Sequence, residues 1–95
     1  MSRLLLAAPL LLLAGAAEAK IPFFNAVCPP DNQIHADKGG PVFVNGAEAK
    51  LKKVNDSYYE AKTQHLTISI AVNPEGSPTV SYAHTSGHSG ICSVK

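Results

Sequence analysis

Between Leu66 and Val72 apolar and small polar residues alternate without a break. Leu66, Ile68, Ile70 and Val72 fall on one side, Thr67, Ser69 and Ala71 on the other. A period of two is the mark of a strand with one face buried. After the turn-forming run Asn73-Pro74-Glu75-Gly76-Ser77 the alternation resumes over Thr79-Val80-Ser81-Tyr82-Ala83. If that loop closes a hairpin, Ile70 faces Val80 and Ile68 faces Tyr82, while Ser69 meets Ser81 and Ala71 meets Thr79. The apolar row and the small polar row demand the same register independently, because a slip of one residue would turn the apolar row to water.

A second hairpin is predicted upstream. In Val42-Phe43-Val44-Asn45-Gly46-Ala47-Glu48-Ala49 the Asn-Gly pair supplies the two positive-φ positions of a type I′ turn. Centring the turn there puts Val44 opposite Ala47 and Val42 opposite Ala49. A further strand is expected over 57–62, after the turn-prone Asn55-Asp56. One segment supports an alternative, since Ala47, Leu51, Val54, Tyr58 and Ala61 recur at helical steps and Glu48 is spaced to pair with Lys52. A helix over 47–62 would make the fold α+β. The Asn-Gly turn before it, Asn55-Asp56-Ser57 inside it and the Tyr58-Tyr59 pair favour strands. Residues 20–40 hold Pro22, Pro29, Pro30, Gly39 and Gly40 and read as an extended, loop-like lead-in.

The first residues change the picture by giving the chain an address. Arg3 is followed by an apolar run from Leu4 to Ala17 and a small-x-small site, Ala17-Glu18-Ala19. This is the layout of a secretory leader ending at Ala19, and with Pro9 in its middle the run is too short for a membrane anchor. Cys28 lies too far downstream to be the acylated cysteine of a lipoprotein. Removing 1–19 leaves one small domain over 20–95, of a size whose stability is thin and for which a covalent staple is expected. Cys28 and Cys92 are the only two cysteines, and an oxidising compartment lets them pair. The bond would close a loop worth about 4 kcal/mol by the chain-entropy argument, against a total stability of about 5 kcal/mol.

The formal net charge of the whole chain is +1. Beyond the leader the basic groups are lysines with no arginine, so the fork that reads phosphates and base edges is missing and nucleic acid is excluded as a partner. Lys50, Lys52 and Lys53 form the one basic cluster, of the kind that solvates a face or guards a sheet edge.

Candidate chemistry is sparse. His84 and His88 are potential ligands for zinc or copper, but their spacing brings the rings together only on a helix, and Thr85 stands where a zinc hydrolase would carry glutamate. Gly87-His88-Ser89-Gly90-Ile91 misses the nucleophile elbow by its last residue and lacks the large scaffold that motif needs. Cys92 near His88 suggests a thiol nucleophile, against which the partner Cys28 argues. Asp31, Gln33, His35 and Asp37 alternate as calcium ligands do, yet Ala36 and Val42 occupy the positions where a calcium loop needs glycine and glutamate. Asn55-Asp56-Ser57 fits the N-glycosylation acceptor pattern. Two surfaces remain for binding. One is the small polar face of Thr67, Ser69, Thr79 and Ser81, which has little side-chain entropy to lose. The other is Ile21-Pro22-Phe23-Phe24, expected mainly to pack onto the sheet.

The sequence thus predicts an all-β domain, a small antiparallel meander of about five strands over 41–95 with an extended lead-in over 20–40, closed by a Cys28–Cys92 disulfide. The functional expectation is a non-catalytic binding or interaction domain of the inhibitor, immunity or accessory type, exported to a bacterial periplasm or beyond. It would need no cofactor, no nucleic acid and no transmembrane anchor, and would meet another envelope or extracellular protein. The competing expectation is a periplasmic metal binder using His84 and His88.

Overall fold

The computed structural model describes residues 20–95, and the predicted leader over 1–19 lies outside them. The described chain is all-β, with ten strands and no helix: β1 (Phe24–Cys28), β2 (Asn32–Ala36), β3 (Val42–Val44), β4 (Ala47–Glu48), β5 (Lys50–Asn55), β6 (Tyr58–Lys62), β7 (Leu66–Val72), β8 (Pro78–His84), β9 (Ser89–Ile91) and β10 (Ser93–Val94). No helix among the described residues is long and apolar enough to cross a membrane.

The strands form two antiparallel sheets of five, in the orders β10-β1-β2-β3-β4 and β9-β8-β7-β6-β5. The central hairpin has the register its two rows demanded, with Ile70 opposite Val80, Ile68 opposite Tyr82, Ser69 opposite Ser81 and Ala71 opposite Thr79. The Asn-Gly hairpin also holds. Val44 pairs with Ala47, Ala49 donates its N–H to the Val42 carbonyl at 2.8 Å, and Asn45 and Gly46 take φ of 52° and 87°.

Only one residue, Ala49, separates β4 from β5, and only Cys92 separates β9 from β10. Each of these segments therefore runs through a corner, pairing in one sheet and continuing into the other. Since β10 also pairs with β1, the last strand returns to the first, and the two corner segments link the two sheets into a ring. Corners where a strand changes sheets are a standard solution for a small β core. They leave only short free edges, the longest being β5. Lys50, Lys52 and Lys53 all lie on it, exposed, which is the edge-guarding role their clustering suggested.

One core fills the space between the sheets. Ile34, Ala36, Val42 and Val44 contribute from the first sheet, Tyr59, Ala61, Leu66, Ile68, Ile70 and Val80 from the second, and Ile21 plugs it from the amino-terminal side. Each fully buried Ile or Val stabilises by roughly 1.5–3 kcal/mol. Cys28 and Cys92 are disulfide-bonded and buried in the same cluster, spanning 64 positions of sequence.

One expectation needs revision, and one alternative falls away. The segment read as a loop-like lead-in carries β1 and β2, and these supply most of the first sheet's buried positions, Phe24, Ala26, Cys28, Ile34 and Ala36 against Val42 and Val44 from β3. Their inward rows are Phe24-Ala26-Cys28 and Ile34-Ala36, in which small residues carry the period, and Pro29-Pro30 occupies the turn between them rather than interrupting a strand. The sheet is accordingly doubled relative to a five-strand meander. The helical alternative over 47–62 gives way to β4, β5 and β6. Of its supposed apolar stripe, Ala47 and Val54 are exposed while Ala61 is buried, so no single face of those residues points inward.

Candidate functional site

Thr67, Ser69, Thr79 and Ser81 do come together on the outer face of the second sheet, where Ser69 stands between Glu60 and Ser81, and Thr67 between Lys62 and Ala83. Thr79 is tied to the adjoining turn through Asn73 Nδ2, which donates to its Oγ1 at 3.1 Å. The row ends at Ile91, opposite Ser81 and 69% exposed. This is a nearly flat face of short side chains.

His84 and His88 are also brought together, by a hairpin and not by a helix. The His84 N–H donates to the His88 carbonyl at 2.7 Å and the Gly87 N–H to the His84 carbonyl at 2.9 Å, with Gly87 at φ 105° closing a three-residue loop. Both rings border one open groove of about 390 Å³ together with Pro29, Pro30, Tyr82 and Ser86. The His65 ring stacks on His84 with centroids 6.3 Å apart. His84 Nδ1 accepts the Ser86 N–H at 3.1 Å, so in a neutral ring the proton sits on Nε2 and a metal ligand role would require displacing one of the two. Among the described residues no group of three His, Cys, Asp or Glu side chains converges as a metal site. The Gly87–Gly90 stretch lies in this hairpin, without the strand-turn-helix setting of an elbow. The sulfur of Cys92 is engaged with Cys28, so it offers no thiol.

The richest constellation is one that sequence reasoning missed, on the outer face of the first sheet. His35 lies in the row Asn25–His35–Phe43–Glu48. Its Nδ1 meets Asn25 Oδ1 at 2.8 Å and its Nε2 meets Asp37 Oδ1 at 2.9 Å, which fixes the ring plane. Phe23 stands edge-on to it at 5.3 Å and Phe43 lies tilted beside it at 6.0 Å. Beside this triplet an open groove of about 510 Å³ is bordered by Asn25, Gln33, His35, Phe43, Gly46 and Lys95. The alternation of Asp31, Gln33, His35 and Asp37, which resembled calcium ligation, is the outward row of β2 and its flanks. The Ile21–Phe24 segment divides, since Ile21 and Phe24 are buried while Phe23 is 61% exposed. The available signal was the period of two in Gln33 and His35, hidden by the prolines and glycines on either side.

Charge shifts belong to turns instead of to these faces. The Lys53 ammonium, 2.8 Å from Asp56, holds that carboxyl below its ordinary value by hydrogen bonding and attraction, and is itself raised in return. Glu75 is lowered by its own backbone N–H and then by the Ser77 hydroxyl.

Comparison with protein-family models, curated proteins and solved structures returns no match, so function must be argued from this geometry.

Proposed function

We propose that this chain is an exported, non-catalytic binding domain of the periplasm or cell envelope, of the inhibitor, immunity or accessory type, whose leader is removed after Ala19. Its partner is another envelope or extracellular protein, and its contact surface is the outer face of the first sheet around His35. The observation that carries this reading is Phe23, which leaves 61% of its surface in water beside the His35 ring, itself held between the Asn25 and Asp37 side chains. A rigid aromatic with a polar rim is what the centre of a protein interface uses, and the core has no need of it. The buried disulfide fits an oxidising compartment.

The test is affinity capture from envelope extract with the processed domain as bait, in parallel with Phe23→Ser and Thr79→Ala. A partner retained by the native and Thr79→Ala baits and lost with Phe23→Ser supports the reading. A partner held equally by all three moves the surface elsewhere, and turnover by the purified protein that a single polar substitution abolishes would overturn the non-catalytic assignment.

A second reading, a metal-binding protein, is favoured by the hairpin that sets His84 and His88 on one groove. Calorimetric titration with zinc and copper decides it. No heat, or equal heat after His84→Ala and His88→Ala, removes it.

A further inference from the structure

The backbone nitrogen of Lys20 is anchored in the fold. It donates to the hydroxyl of Tyr59 at 2.8 Å, and that hydroxyl donates in turn to the Asp56 carbonyl at 3.1 Å. Tyr59 is the largest fully buried side chain, so its hydroxyl is held in position by the core and not by a flexible stem. The next residue is fixed as well: Ile21 is 1% exposed and its carbonyl accepts the Gly39 N–H at 2.7 Å. The positive charge of Lys20 also contributes to lowering the Asp56 carboxyl, after Lys53, which places Lys20 in the field of that anion.

The same nitrogen belongs to the bond that follows Ala17-Glu18-Ala19. We propose that Tyr59 and Asp56 form a seat for the amino terminus created when a leader peptidase hydrolyses the Ala19–Lys20 bond. One water is consumed, Ala19 departs with a carboxylate, and Lys20 keeps an ammonium whose N–H group points at the Tyr59 oxygen. The proposal rests on the export reading for the cleavage itself. The hydrogen bond observed at the amide becomes charge-assisted, and such bonds are roughly twice as strong as neutral ones. Processing in this view completes a contact of the domain. It also sets a stop, because Ile21 is buried and followed by Pro22, so Lys20 is the last residue an exopeptidase can reach.

The experiment starts from the full chain expressed with its leader and recovered from the exported fraction. Intact mass gives the first residue, and incubation with a broad-specificity aminopeptidase gives the rate at which Lys20 is released. We expect a chain beginning at Lys20 that is trimmed slowly, and about tenfold faster release in Tyr59→Phe, which keeps the ring in the core and removes the acceptor. A chain beginning at Lys20 but trimmed equally fast in both proteins sinks the seat and leaves the export reading standing. A chain beginning elsewhere sinks the seat and the cleavage after Ala19, and a chain that is neither exported nor cut sinks the export reading as well. If Tyr59→Phe fails to accumulate, labelling of the Lys20 α-amine in native against urea-unfolded wild-type protein replaces it, and equal labelling rates overturn the seat.

Discussion

Cys92 is bonded to Cys28 at a thinly held seam of the ring of strands, one residue before Ser93 pairs with Val27. The β1–β10 seam has two residue pairs, extended by the Lys95 N–H to the Asn25 carbonyl at 2.9 Å, whereas β7 and β8 share seven pairs. It also joins the segments farthest apart in sequence, so its closure costs the most chain entropy. The sulfur bridge therefore does what the hydrogen bonds there are too few to do.

Reduction, or the double replacement Cys28→Ala with Cys92→Ala, is expected to lower unfolding free energy by about 4 kcal/mol. Urea denaturation of the oxidised and reduced forms measures it. Hydrogen exchange should show amide protection lost first over residues 24–28 and 93–95. A loss spread evenly over both sheets would contradict the seam's special weakness.

Ile70→Ala removes a side chain with no exposed surface from the centre of the core and should cost roughly 2–5 kcal/mol. Thr79→Ala, one strand away on the wet face, should stay within about 0.5 kcal/mol. Thermal or urea denaturation of the pair separates the inner from the outer row of the hairpin.

Gly46→Ala probes the Asn-Gly turn without any packing change, because a Cβ there meets nothing within 4 Å. The cost is purely one of backbone conformation at φ 87°, about 1–2 kcal/mol. A measured change near zero would mean that the turn relaxes to another type.

At acid pH the Asn73–Ser77 turn should loosen. The Glu75 carboxyl is depressed in the folded chain, first by its own N–H and then by Ser77. A depressed carboxyl contributes stability above its unfolded value and loses it as pH falls through the folded one. Titration of Glu75 by NMR should give a midpoint below that of an unfolded glutamate. In Ser77→Ala the midpoint should rise part of the way, since the backbone N–H remains.

How far the sequence could be read follows from which residues carried the period. From Pro41 onward large apolar side chains alternate with polar ones, and both hairpins appear in the register expected. In β1 and β2 the inward positions are shared with Ala26, Cys28 and Ala36, whose small size gives a weak signal beside the surrounding prolines and glycines. The corners at Ala49 and Cys92 were invisible for a different reason, because changing sheets requires a bend and neither residue announces one. The face around His35 depends on three strands that meet only after folding, so Asn25, His35 and Phe43 carry no local mark of their proximity. The pairing of His84 with His88 was legible as spacing but was tied to the wrong element.

The seam has a consequence for solubility. With the bridge intact, β1 is paired on both sides. Once it is cut and β10 swings out, the stretch Phe24-Asn25-Ala26-Val27-Cys28 offers main-chain amides along a strand that bears no charge, unlike the lysine-lined β5. A thiol-rich environment would thus turn a self-contained object into a template for other extended polypeptide, and precipitation should begin before the core melts.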